Sequence, residues 1–85
     1  MAWQILFKPR PRRDLAKLPR AIAERIARAI DALSIQPRPP GCVKMEGPDG
    51  FWRIRVGDYR IIYQIHDDHL IVLVVRIGHR RDVYE

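Results

Sequence analysis

The stretch Arg53-Ile54-Arg55-Val56-Gly57-Asp58-Tyr59-Arg60 decides how this chain folds. Basic and apolar residues alternate in it with period two, which marks a half-buried strand, and a Gly-X pair between two such runs marks a tight hairpin. With Gly57 and Asp58 as a two-residue loop, Val56 faces Tyr59, Arg55 faces Arg60 and Arg53 faces Ile62. Residues opposite each other share a sheet face, so three guanidinium groups converge on one side. Like charges directly opposite destabilise a sheet by roughly 0.2–1 kcal/mol. A fold that accepts this cost is expected to place an anion there, and phosphate is the usual partner of clustered arginines. The alternative is a solvated basic face, which the same alternation produces.

Working outward toward the C-terminus, strands are expected over Phe51–Val56, Tyr59–His66 and Leu70–Gly78, with a second turn around Asp67-Asp68. Trp52, Ile54, Val56, Tyr59, Ile61 and Tyr63 fall on the face opposite the arginines and form an apolar surface. The last strand is apolar on both faces, as suits a central strand covered from either side. Toward the N-terminus, Trp3–Phe7 reads as a short strand ended by Pro9 and Pro11. A brief helix is expected over Arg12–Leu18, with Pro11 at its start, where a missing N–H is harmless. Pro19 begins a longer helix. Its Ile22, Ile26, Ile30 and Leu33 form one stripe, and Arg20, Glu24, Arg28 and Asp31 occupy the other side. Pro37, Pro39 and Pro40-Gly41 end it, and Cys42–Gly50 reads as a loop.

These elements predict a single α+β domain over residues 1–85, a small two-layer fold in the order β-α-α-β-β-β. A mainly antiparallel four-stranded sheet packs on a helical hairpin, and Trp3–Phe7 pairs along the free edge of the last strand.

Eighty-five residues support one core and no deep cofactor cavity, since a chain of this size buries only about 60–65% of its unfolded surface. Sixteen Lys and Arg against ten Asp and Glu give a net charge of +6, the profile of a nucleic-acid binder or of a protein held by an acidic partner. The excess lies mainly in residues 1–50, with ten basic and five acidic side chains. The single Cys42 excludes an intrachain disulfide, and Cys42, His66, His69 and His79 show no metal-ligand spacing, so neither a metal nor a cofactor is expected. The opening apolar run is too short for a signal peptide, and Leu70–Val75 is far short of a membrane span. A soluble cytoplasmic protein with no membrane partner is expected.

The C-terminal run Gly78-His79-Arg80-Arg81-Asp82-Val83-Tyr84-Glu85 leaves the last strand at a glycine and offers a histidine, two arginines and a tyrosine. A tyrosine or histidine there can act as general acid or base, and Arg80 can neutralise charge at a phosphorane-like transition state. Equally, Tyr84 can pack its ring on the core while Arg80 or Arg81 pairs with Asp82.

The run from Phe51 through Arg53, Arg55, Gly57-Asp58-Tyr59-Arg60 to Tyr63, followed by Ile77-Gly78-His79-Arg80 and Tyr84, resembles the RelE-type toxins of the RelE/ParE superfamily. The resemblance covers nearly the whole chain; Tyr59-Arg60 and Gly78-x-Arg80 are its more specific pieces. It implies a toxin of a type II toxin–antitoxin system: a metal-independent endoribonuclease that cuts messenger RNA in the ribosome and arrests translation. The RNA's own 2′-hydroxyl attacks the adjacent phosphate and leaves a cyclic phosphate. The resemblance assigns catalysis to Arg53, Arg55, Arg60, Arg80 and Tyr84; His79, Arg81, Lys44 and the two strand arginines are expected to contact RNA. The family's prototype has lysines where Arg53 and Arg55 stand. Arginine keeps its proton up to a pKa above about 12, so proton transfer shifts toward Tyr84 or His79 and the two arginines read as phosphate clamps. His79 can instead stack on a base or face solvent, and Glu46 or Asp49 can serve as a carboxylate base or merely as charge partners. The implied partners are a RelB-like cognate antitoxin, the ribosome and its message, and operator DNA only through the antitoxin complex.

Two other functions share these features. A ParE-type toxin that inhibits gyrase has the same fold without the RNA-cutting residues, and the joint presence of Arg60, Arg80 and Tyr84 argues against it. A non-catalytic basic module that binds RNA or an acidic partner would not require Tyr84 beside Arg80.

Overall fold

The fold comes from a computed structural model that describes residues 2–81. Its elements run β1 (Gln4–Phe7), α1 (Pro9–Lys17), α2 (Arg20–Leu33), β2 (Val43–Lys44), β3 (Phe51–Val56), β4 (Tyr59–His66) and β5 (Ile71–His79). Strands β3 and β4 pair in the register that the alternation predicts, with Val56 opposite Tyr59, Arg55 opposite Arg60 and Arg53 opposite Ile62. Gly57 takes φ 60° while Asp58 keeps a negative φ, so the loop is a type II′ turn, which needs glycine at its first position and matches the strand twist.

The sheet has five strands in the order β1-β5-β4-β3-β2. It is thus one strand wider than expected: Val43–Lys44, inside the segment read as a loop, pairs antiparallel with β3. The sheet is also mixed, because β1 runs parallel to β5 along its free edge. Such a parallel step needs a crossover, and the two helices supply it.

Helix α1 begins at Pro9, three residues earlier than expected, with buried Pro11 in its first turn. The first four N–H groups of a helix have no intrahelical acceptor, so both prolines are tolerated there. Leu18, held extended before Pro19, ends α1, as the residue before a proline is disfavoured in helical geometry. In α2, Ile26, Ile30 and Leu33 are buried, and with Leu15, Leu18 and Ile22 they cover one face of the sheet. That face presents Ile54, Ile61, Tyr63, Val72, Val74 and Ile77, flanked by Trp3, Ile5, Phe7 and Trp52. The Tyr63 hydroxyl donates to the Pro37 carbonyl at 2.7 Å and ties the chain leaving α2 to the core. Burial, then Cys42, pushes this phenol above its ordinary range, with Arg38 acting in the opposite direction.

Strand β5 is irregular. Ile62 pairs with Arg76 but Tyr63 pairs with Val74, so Val75 is an extra residue in a β-bulge. The bulge shifts the parity of the strand, which lets Val72, Val74 and Ile77 all face the helices. It also accounts for part of the two-faced apolar pattern in the sequence; no helix among the described residues covers the other face.

Candidate active site

The uncovered face of the sheet carries the arginines. Arg53 and Arg55 stand on β3, Arg60 stands opposite Arg55 on β4, and Ile62 lies buried between Arg53 and Arg76 of the flanking strands. Long basic side chains shelter apolar surface with their stems while their charged heads stay in contact with water. The backbone N–H of Arg80 donates to the Asp58 carbonyl at 2.7 Å. This bond clamps the end of β5 to the hairpin turn and brings Arg80 beside two of the strand arginines. Arg55, Arg60, Arg80, Asp58 and Tyr59 line a recess of about 150 Å³ with Gly57 at its edge. Arg55 also borders a groove of about 370 Å³ that continues past Arg53 to Pro40, Gly41 and Val43.

The electrostatics are one-sided. Among the described residues Arg10–Asp14, Arg20–Glu24 and Arg38–Asp67 form ion pairs, and none of these involves Arg53, Arg55, Arg60, Arg80 or Arg81. Burial, then Arg60, then Arg55 lowers the pKa of Arg53, so its neighbours oppose its charge. The Nε of Arg60 is buried with no hydrogen-bond partner among the described residues. An unpartnered buried donor costs about 1–3 kcal/mol, and a charged one costs more. Phosphate oxygens in the recess would relieve both the repulsion and the missing acceptor, because guanidinium and phosphate match in charge and geometry.

The other expected site residues are placed differently. His79 lies opposite Tyr59, on the helix side of the sheet, with ring centroids 5.5 Å apart and an interplanar angle of 81°. Its Nδ1 accepts the Arg81 backbone N–H at 3.3 Å, which leaves Nε2 to carry the proton of the neutral ring. Lys44 is also on the helix side, 5.9 Å from the centre of the Trp52 ring, with Arg38 at 5.1 Å from the same ring. Period-two alternation in their strands puts both residues on the face away from Arg53, Arg55 and Arg60. Arg81 is exposed in the turn after β5, and Tyr84 lies outside the described residues. Glu46 and Asp49 are exposed in the loop before β3, and the Asp49 carbonyl accepts from the Gln64 side chain at 3.0 Å. Among the described residues no three His, Cys, Asp or Glu side chains could together hold a metal ion, and no helix is long and apolar enough to cross a membrane.

Two groups near the site escaped the sequence reading. Arg25 of α2 lays its guanidinium 3.5–3.8 Å from the point where a Gly57 side chain would begin, carrying positive charge around the hairpin tip. Arg10, Asp14 and Lys17 of α1 approach His79 and Tyr59 from the other side. No spacing rule links these residues to the hairpin. The only available signal was the density of basic residues over positions 8–28.

An α+β domain with a five-stranded sheet, one face closed by two helices and the other bearing an arginine cluster, is the architecture of the RelE/ParE toxins. The model of the ParE toxin of type II toxin–antitoxin systems (parDE) matches residues 5–84, and the chain belongs to this superfamily as a RelE-type member. It is similar to Toxin RelG of Mycobacterium tuberculosis, at 36% identity over 85 residues covering 99% of this chain and 98% of that protein. The toxin–antitoxin complex RelBE2 from Mycobacterium tuberculosis superposes with TM-score 0.83 at 31% identity, covering 96% of this chain and 95% of that one. The archaeal RelE–RelB complex from Pyrococcus horikoshii OT3 gives TM-score 0.84 at 25% identity, covering 98% and 100%.

Proposed function

We propose that this toxin is a metal-independent endoribonuclease that cuts messenger RNA on the ribosome, arrests translation in the cytoplasm, and is neutralised by a cognate RelB-like antitoxin. The observation that carries this reading is the buried Nε of Arg60, unpartnered among the described residues, beside Arg55 and Arg80, none of which forms an ion pair with a described residue. In the reaction the 2′-hydroxyl oxygen bonds to the adjacent phosphorus, the bond to the 5′-oxygen breaks, and a 2′,3′-cyclic phosphate and a 5′-hydroxyl result. Arg60 and Arg80 hold the non-bridging oxygens as charge develops, and Arg53 and Arg55 clamp the backbone. The proton lost by the 2′-hydroxyl goes to Tyr84, on the strength of the family resemblance, and one is returned to the leaving oxygen. The ribosome serves to hold the message in line, an effect of position rather than of added chemistry.

The antitoxin partner is supported by the RelE–RelB and RelBE2 relatives, which are complexes. Operator DNA would be met only through that complex. Primer extension on ribosome-bound message tests the assignment: the wild-type protein gives discrete stops that Arg80→Ala loses while still binding ribosomes. Arrest of translation by both Arg80→Ala and Tyr84→Phe would rule catalysis out.

The match to the ParE model favours a second reading, inhibition of gyrase. A supercoiling assay separates the two, since a ribonuclease leaves gyrase activity unchanged at concentrations that stop translation.

A further inference from the structure

A second recess lies outside both the arginine cluster and the core. It holds about 390 Å³ between α1 and the end of β5. Tyr59 and His79 form one wall as an edge-to-face pair, and Arg10, Asp14 and Lys17 form the opposite rim. Each wall residue precedes an active-site arginine in the chain, Tyr59 before Arg60 and His79 before Arg80. The strand pleat sends neighbours to opposite faces, so this recess and the arginine recess sit back to back across one strand end. Tyr59 borders both.

We infer that this recess is a base-binding subsite for the nucleotide next to the cleaved linkage, which deepens the ribonuclease reading and rests on it. Single-stranded RNA is recognised by stacking unpaired bases on aromatic rings beside cations that track the backbone. Tyr59 and His79 supply the rings, Arg10 and Lys17 supply the cations, and the strand passes from one recess to the other around the rim at Asp58 and Gly78. Asp14 adds selectivity. It meets Arg10 through Oδ2 at 3.9 Å, and a carboxylate has a second oxygen to accept an exocyclic amino group. The subsite therefore prefers adenine, cytosine or guanine to uracil.

The test uses the full-length toxin and a trinucleotide with 2′-deoxyribose throughout, which binds but has no nucleophile for cleavage. Titration is followed by the imidazole C–H resonances of His79. The expected result is a shift of those resonances together with backbone signals of Arg55, Arg60 and Arg80. Kd should weaken about tenfold in His79→Gln, in line with the loss of one stacking contact, and several-fold in the surface variant Arg10→Ser/Lys17→Ser. Changing the amino-bearing base to uracil should weaken wild type but not Asp14→Ala. Shifts confined to the arginine face, or no shift at either recess, would overturn the subsite. Absence of cleavage by wild type on ribosomes, with the His79 shifts intact, would instead overturn the ribonuclease reading and leave only a base-binding recess.

Discussion

Replacing Arg60 by methionine should stabilise this protein while destroying its activity. Two effects oppose folding at this position. Arg60 and Arg55 stand directly opposite on adjacent strands, and like charges so placed cost about 0.2–1 kcal/mol. The Nε of Arg60 is also a buried donor without a partner, worth about 1–3 kcal/mol. Methionine keeps an unbranched apolar stem in the same space and removes both penalties, at the loss of some guanidinium packing. A net gain of about 1 kcal/mol or slightly more is expected, and for a domain of this size that is a rise in Tm of roughly 4–8 °C. The gain should shrink without vanishing between about 0.01 M and 1 M salt, because screening removes the repulsion and leaves the desolvation. Inorganic phosphate should raise the Tm of wild type more than that of the variant, since a ligand that binds only the folded state stabilises by mass action. Thermal unfolding by circular dichroism at the two salt concentrations, with and without phosphate, reads all three quantities. A variant no more stable than wild type at low salt, or one stabilised equally by phosphate, would refute the claim that this cluster stores unfavourable charge for an anion.

Other perturbations address the scaffold. Tyr63→Phe removes the donor to the Pro37 carbonyl and should cost about 1–2 kcal/mol in urea unfolding. The same residue sets a limit at alkaline pH. The folded state holds the phenol protonated above its ordinary range, so its contribution is complete below about pH 10 and is lost as pH rises further. Stability measured from pH 8 to pH 11.5 should therefore fall less steeply in Tyr63→Phe. Gly57→Ala should cost about 1 kcal/mol in chemical denaturation, all of it from a side chain at φ 60°, because the added methyl meets Arg25 only at ordinary contact distances of 3.5–3.8 Å. Ile26→Ala opens a cavity under the sheet and should cost about 2–5 kcal/mol, a large share of the total stability of a small domain.

Features with a short physical period were legible in the chain. Alternation across Arg53–Val56 and Tyr59–Tyr63, pinned by the glycine of a two-residue turn, determined the β3–β4 register and hence which arginines share a face. The spacing of Ile22, Ile26, Ile30 and Leu33 determined the buried stripe of α2. The resemblance carried by Tyr59-Arg60 and Gly78-x-Arg80 pointed to the superfamily. Strand β2 did not show, because two residues display no periodicity and Val43–Lys44 is a strand only while β3 lies beside it. Nor did the parallel direction of β1 on β5, though the pairing itself was expected, or the bulge at Val75, since direction and register slips leave no local pattern.

The same division runs through the site. Charge and spacing placed Arg53, Arg55 and Arg60 together, but whether Arg80 joined them depended on the bond from its N–H to Asp58, which forms only when β5 ends beside the hairpin turn. Placing His79 with Tyr59 and the cations of α1, rather than with the arginines, was likewise a matter of packing between segments twenty or more residues apart in sequence. What alternates along the backbone is fixed by the geometry of neighbouring peptide units. What meets across the molecule follows from how the apolar faces close on one another, and only the folded chain decides that.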